Sequence, residues 1–369
     1  MLSSDSHVFE PPDLWQARVP AAWRDRAPRV ERADDADWWI VRGQRACSFA
    51  AGTKAGLRFR GQAALEVEYH FSDVREGAYT PALFVEDNEA DGIWGSVLYP
   101  SMGVLLFQES DARTLAVTAA AYNEWIAEFC AAAPGRLKGL AILDAESVES
   151  NVAALERARA LGLAGGLISV SPLPGQGYDS DRYEPFWEAA AGLGLPLSLH
   201  IATNRNSEEV VSLYSEAGVS NCDAQVRASL ARMVFSGVFE RHPQLRVASV
   251  EFESGWVPHF LERMDYTYTQ RERQEGWARF ARGALPSDYF RRNVSVSFQE
   301  DPVGIQCRHR IGIDRLCWGS DYPHTESTFP RSNAIVEELL REVPEHERVR
   351  ITRDNTAALY GFEPPPLRS

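Results

Sequence analysis

The chain opens on Leu2-Ser3-Ser4-Asp5-Ser6-His7-Val8-Phe9-Glu10-Pro11-Pro12. A short strand would end in Asp5-x-His7, and residues two apart on a strand point to the same side. At a strand's C-terminal end, a carboxylate and an imidazole so placed can grip a metal. D-x-H is a weak motif, and a polar turn explains it as well. Three further stretches carry related chemistry. Leu195–Leu199 is apolar and ends in His200; Leu245–Val250 is followed by Glu251 and Glu253; Cys317–Ser320 leads into Asp321-Tyr322-Pro323-His324. Taken alone, His200 reads as a core histidine and Asp321 as a turn cap.

The elements that must position these residues alternate along the chain. After the first strand, apolar runs fall at 93–99, 137–143, 165–170, 195–200, 245–250, 294–298 and 316–320. Helical spacing fills the intervals, over Pro81–Asp91, Asp111–Ala132, Val148–Leu161, Tyr183–Leu193, Cys222–Arg241, Val257–Gln270 and Pro302–Ile311. Two more helices, at 332–341 and 345–360, close the chain. Such βα units in series imply a parallel sheet, and their number and length favour an α/β fold of the (β/α)8 TIM barrel type. The reading is one barrel domain over 1–369, with 11–80 as an irregular insertion after strand 1 whose apolar content is thin for a core of its own. Within it, Trp38–Cys47 reads as a hairpin turning at Gly43-Gln44.

In such a barrel the catalytic groups lie at the C-terminal ends of strands. Asp5, His7, His200, Glu251 and Asp321 all fall there. Two imidazoles (His7, His200) and two carboxylates (Asp5, Asp321) make a site suited to Zn²⁺, and open to Mn²⁺ or Fe²⁺. His324, three residues past Asp321 on the same mouth loop, joins the candidate catalytic residues. His70, His309 and His346 sit among charged residues and read as solvated.

A formal charge of −14, from 38 basic and 52 acidic residues, argues against nucleic acid or an anionic membrane as partner. Five scattered cysteines without C-x-x-C suggest reduced thiols. With neither a signal-like N-terminus nor an apolar run of ~20 residues, the expectation is a soluble cytoplasmic protein acting on a small molecule. Neither G-x-G-x-x-G after the first strand nor G-x-x-x-x-G-K-[ST] is present, so nucleotide binding loses support.

The chain resembles the amidohydrolase superfamily, in the amidohydrolase-related branch that includes aminocarboxymuconate-semialdehyde decarboxylase. The stretches that carry the resemblance are Asp5–Pro11, Gly194–His200, Glu251 through Asp265, and Trp318–His324. The resemblance implies a distorted barrel with one divalent metal, usually zinc, and His7, His200 and Asp321 as ligands. It also implies a homodimer as the common assembly. Two positions depart from the family pattern. The strand-1 motif is often His-x-His, and here Asp5 takes the first place, with Glu10 near enough to compete. Many family decarboxylases carry a histidine after strand 6, where this chain has Glu251.

The leading expectation is a metal-dependent hydrolase. The metal would lower the pKa of a bound water towards ~7. Asp321 would orient that water and take its proton, Glu251 would serve as a second acid/base group, and the metal or Arg205 would steady the oxyanion. The alternative is metal-dependent, non-oxidative decarboxylation of an aromatic or unsaturated acid, with the histidine-to-glutamate change counting against it. A third reading is a barrel that has lost catalysis and serves binding. The substrate pocket is expected to take shape from residues 11–80 and the loop Thr203–Val219, with Trp38, Trp39 and Trp94 as candidates for an apolar wall.

Overall fold

In the computed structural model, strand β1 (Leu2–Val8) is followed by a small antiparallel sheet of β2 (Arg29–Arg32), β3 (Asp37–Val41) and β4 (Gln44–Ser48). The chain then runs through β5 (Gly95–Pro100), β6 (Leu137–Ile142), β7 (Gly165–Ile168), β8 (Leu197–His200), β9 (Val247–Val250), β10 (Val294–Phe298) and β11 (Leu316–Trp318). The structure describes residues 1–364 apart from 67–68, 145–146, 207, 210–212, 214, 272–279 and 281–282. Strands β1 and β5 to β11 pair in parallel and in chain order, with helices in the intervals. This is the eight-stranded α/β barrel read from the alternation. Helices cover one face of each strand and the barrel interior the other. The short strands are therefore buried along their length and read as apolar runs.

The seam between β1 and β11 closes the barrel. The Asp5 carbonyl accepts the amide N–H groups of Ser320 (3.1 Å) and Asp321 (2.9 Å), and the His7 amide donates to the Tyr322 carbonyl (2.6 Å). Hydroxyls complete the seam. Ser4 Oγ donates to the Trp318 carbonyl (3.0 Å), and Ser3 Oγ accepts the Ser320 amide (2.9 Å). On its other side, β1 pairs with β5 through Ser3 and again from Ser6, with one extra residue of β1 between. That bulge frees Ser4-Asp5 from the β5 ladder, so that Asp5 is placed by β11.

Aromatic packing ties the insertion to the strand that carries the site. Phe9 lies against Phe49, Phe49 against Trp39, and Trp39 against Trp15, which are all fully or nearly fully buried. The hairpin turns at Arg42-Gly43, one residue before the expected Gly43-Gln44, because both residues take positive φ (55° and 74°), as a two-residue primed turn requires. The helix expected over Cys222–Arg241 is two helices, Asp223–Phe235 and Val238–Arg241, parted at Gly237 (φ 81°). His70 is buried rather than solvated, with Nδ1 3.1 Å from Asp37 Oδ1. Among the described residues no helix is long and apolar enough to cross a membrane.

Gly319 shows how tightly the seam is packed. A Cβ there would sit 2.6 Å from Asp5 Cβ and 3.1 Å from Asp5 N. Gly319→Ala is expected to destabilise the protein by ~1–3 kcal/mol, the scale of overpacking. Thermal unfolding checks the stability, and metal titration of the same variant is expected to show weakened binding through displaced Asp5.

Candidate metal centre

Five strands deliver the central side chains. β1 supplies Asp5 and His7, β8 ends on His200, Glu251 follows β9, and Asp321 and His324 follow β11, while Ser101 follows β5. Ligand atoms of Asp5, His7, His200 and Glu251 lie within 4.8 Å of one another, and His7, Asp321 and His324 form an adjoining group on the same criterion. His7 Nε2 is 3.5 Å from both Asp5 Oδ1 and Asp321 Oδ1, and His200 Nε2 is 3.0 Å from Glu251 Oε2 and 3.7 Å from Asp5 Oδ1.

The tautomers are set from behind. His7 Nδ1 lies 3.1 Å from the Pro100 carbonyl and His200 Nδ1 2.9 Å from the Ile201 carbonyl. A carbonyl only accepts, so each Nδ1 carries a hydrogen, and in the neutral ring it is Nε2 that would present its lone pair to the cluster. Buried atoms without a hydrogen bond of good geometry gather here: Asp5 Oδ1, His7 Nε2 and His200 Nε2 in the first group, and Asp321 Oδ1 in the adjoining one. The two imidazole nitrogens of the first group, with the Asp5 and Glu251 carboxylates, fit a divalent cation.

Burial pushes Asp5 upward and raises Asp321 to about 7, while burial and the neighbouring histidines hold His7 well below the imidazole range. His200 moves the other way. Burial opposes its proton, but the Glu251 and Asp5 carboxylates outweigh burial and hold it well above that range. Glu251 is pushed up by burial and pulled further down by His200, ending below the usual carboxylate range. Its side chain is 30% exposed, against 4% for Asp321. His324 stacks on His7 with ring centres 4.0 Å apart, holds Nδ1 2.9 Å from Asp321 Oδ1, and places Nε2 3.0 Å from Ser101 Oγ.

A cavity of about 330 Å³ opens beside the cluster, lined by Asp5, Ile201, Cys222, Glu251, Phe252, Glu253 and Phe298 among others. Arg205 is not among its lining residues; its Nη1 donates to the Phe107 carbonyl (2.7 Å), so it braces the segment after β5. Glu10 is fully buried and accepts the amides of Met102 (2.9 Å) and Gly103 (2.8 Å), which occupies its carboxylate outside the cluster. Trp39 is packed in the insertion, and Trp38 and Trp94 also lie away from the cavity wall. Part of the Thr203–Val219 loop lies outside the described residues, while Val219 itself reaches the cavity. Ser101 and Glu10 owe their roles to contacts across the barrel, and only the position of Ser101 just past an apolar run hints at one.

The family model described as amidohydrolase matches residues 70–362. The chain is 28% identical over 265 residues to a gamma-resorcylate decarboxylase of Rhodococcus jostii, covering 65% of this chain and 75% of that protein. It is 23% identical to the 2-amino-3-carboxymuconate-6-semialdehyde decarboxylase of Dictyostelium discoideum, covering 80% of each. Among solved structures, an amidohydrolase from Mycobacterium avium subsp. paratuberculosis superposes with a TM-score of 0.80 at 20% identity over 98% of both chains. A dihydroxybenzoic acid decarboxylase from Polaromonas, with bound manganese and 2-nitroresorcinol, gives 0.65 at 19% identity, covering 97% of this chain and 96% of that one. The decarboxylases among these relatives overturn the expectation of a hydrolase, which rested on metal-activated water being the simplest use of such a cluster.

Asp5→Ala is expected to weaken Mn²⁺ binding more than about tenfold, beyond what loss of an outer-shell partner costs. Glu10→Ala should leave the metal stoichiometry intact and lower stability by ~1–3 kcal/mol, because two buried amides lose their acceptor. Elemental analysis after dialysis against Mn²⁺, with thermal unfolding alongside, checks both outcomes.

Proposed function

The chain belongs to the amidohydrolase family, and on that premise we propose that it is a metal-dependent, non-oxidative decarboxylase of a hydroxylated aromatic carboxylic acid. One observation carries the reading. Asp321, almost wholly buried, stands 3.5 Å from His7 and 2.9 Å from His324 Nδ1 at the edge of a cluster ready for a divalent ion. A carboxyl paired with an imidazole that can resupply its proton is placed to deliver that proton to a substrate held beside it.

Asp5, His7 and His200 would hold the ion, with Glu251 as the carboxylate within reach of all three. Manganese is favoured over the zinc expected from sequence, because related decarboxylase structures carry it. When bound, the ion supplies positive charge for the substrate's carboxylate and adjacent oxygen, and draws electron density from the ring. Asp321 gives its proton to the ring carbon that bears the carboxylate. The bond from that carbon to the carboxylate then breaks, its electron pair returns to the ring, and carbon dioxide leaves. His324, held 2.9 Å from Asp321 Oδ1, returns a proton to Asp321, and Ser101 keeps its ring in place. Glu251 stands where many family decarboxylases have a histidine. The Asp321–His324 pair takes over the proton handling, and Glu251 is left to ligation.

Mn²⁺-loaded protein is expected to release carbon dioxide from one or more members of a hydroxybenzoate panel. Asp321→Asn should lower kcat by ~10²–10⁴-fold, the usual worth of a general acid, while retaining metal. Glu251→Gln should instead weaken metal binding. Turnover and metal content, measured on the same preparations, separate the two roles. Carbon dioxide release by Asp321→Asn at the parental rate, or none by the parent protein from any panel member, would sink the reading.

A further inference from the structure

The cavity beside the metal cluster has an unusual charge. Its described lining includes five carboxyl side chains, those of Asp5, Asp223, Glu251, Glu253 and Glu326, and no lysine, arginine or histidine. Asp5 and Glu251 belong to the metal cluster. Asp223 is neutralised by Arg227, 2.9 Å away. Glu253 and, at the exposed mouth, Glu326 remain as acids on the lining of the substrate space. Glu253 accepts backbone amides there, that of Gln299 at 3.1 Å and that of Glu300, and no cation. The nearby rim cation, Arg58, donates its Nε to the Ser327 carbonyl and pairs with Glu300 through Nη2. Asp5 Oδ1, buried and without a hydrogen bond, marks where the lining meets the cluster.

From this lining we infer that the enzyme selects a monocarboxylate whose far side carries hydrogen-bond donors, such as an amino or hydroxyl group, and rejects a substrate with a second carboxylate. The inference rests on the decarboxylase reading, in which the metal takes the single carboxylate. A second carboxylate on the opposite side of the ring would then face Glu253 and Glu326 with no cation to meet it. Like charges brought together in a partly desolvated cavity are disfavoured, whereas an N–H or O–H finds acceptors already in place. The acceptors are also matched in size to the task. About 330 Å³ holds one substituted aromatic ring, which brings its far side close to the two acids.

Three ligands on one scaffold test the inference by binding to the Mn²⁺-loaded protein: salicylate, 4-aminosalicylate and 2-hydroxyterephthalate. Displacement of 2-nitroresorcinol, followed by its absorbance, gives the ranking without any need for turnover. 4-Aminosalicylate is expected to bind more tightly than 2-hydroxyterephthalate by about tenfold or more, with salicylate between them. In the double variant Glu253→Gln, Glu326→Gln the ratio is expected to fall below about threefold, through tighter binding of the diacid. The amide retains an acceptor for the Gln299 N–H, so the fold around it is kept. A diacid that binds as well as the amino acid in the parent protein overturns the inference, as does a ratio unchanged in the double variant or no binding of any of the three. Absence of carbon dioxide release with the ranking intact overturns the decarboxylase reading alone.

Discussion

The structure depends on one carbonyl group. Asp5 O accepts two amides from the far end of the barrel, Ser320 and Asp321, and so joins the first strand to the last. β11 is only three residues long, and an ordinary ladder of that length would be a weak clasp. The bulge in β1 turns Ser4-Asp5 away from β5, and the serine hydroxyls of the seam reinforce the join. The same peptides carry the Asp5, His7 and Asp321 side chains. Closing the barrel and assembling the cluster are therefore a single event. A one-residue slip of β1 would reverse the faces of Asp5 and His7 and break the seam together with the site.

Closure brings an electrostatic cost that the cluster is built to meet. Carboxylates taken out of water are stabilised only by partners that stay with them. Asp5 and Asp321 are almost wholly buried; His324 Nδ1 answers Asp321, while His7 and His200 turn their Nδ1 groups elsewhere. The Nδ1 hydrogens of His7 and His200 face backbone carbonyls on the outside of the cluster. The opposite tendencies of the two histidines follow from neighbours. His7 lies among other imidazoles, while His200 lies against Glu251 and Asp5. A cation at the centre relieves both conditions at once, because it favours neutral imidazoles and charged carboxylates.

The barrel and the central residues are legible in the sequence for a shared reason. His200, Glu251 and Asp321 each end or follow an apolar run, Asp5 and His7 form a D-x-H pair in the serine-rich first strand, and the alternation of strands with helical spacing places them on one rim. The roles within the cluster are less legible. Separation along the chain does not tell that Glu251 lies nearer His200 than Asp321 does, because that depends on the angle at which each loop leaves its strand. Glu10 and Arg205 show the same limit. Each has the chemistry of a site residue and the right neighbourhood in sequence, yet Glu10 accepts the amides of Met102 and Gly103 and Arg205 Nη1 donates to the Phe107 carbonyl. Competition for a buried polar group is settled by contacts across the barrel, and no local pattern encodes it.

Backbone strain marks the same rim. Ala202, Glu251, Glu253 and Asp321 have positive φ (63°, 64°, 53° and 57°), and each lies just beyond a barrel strand. For a residue with a side chain, that conformation costs ~1–3 kcal/mol and persists only where the surroundings over-determine it. Asp321 shows what does so. Its amide is held by Asp5 O, its carbonyl accepts the His324 amide, and its carboxylate faces two histidines. Glycine would relieve the strain at each position but would remove the carboxylate at three of them. Acids are kept where glycine is easier because the sharp exit from the strand and the side chain are both needed at one residue. The strain stored at the mouth is balanced by the seam below it, so the Asp5 carbonyl that closes the barrel also holds the Asp321 carboxyl in its place.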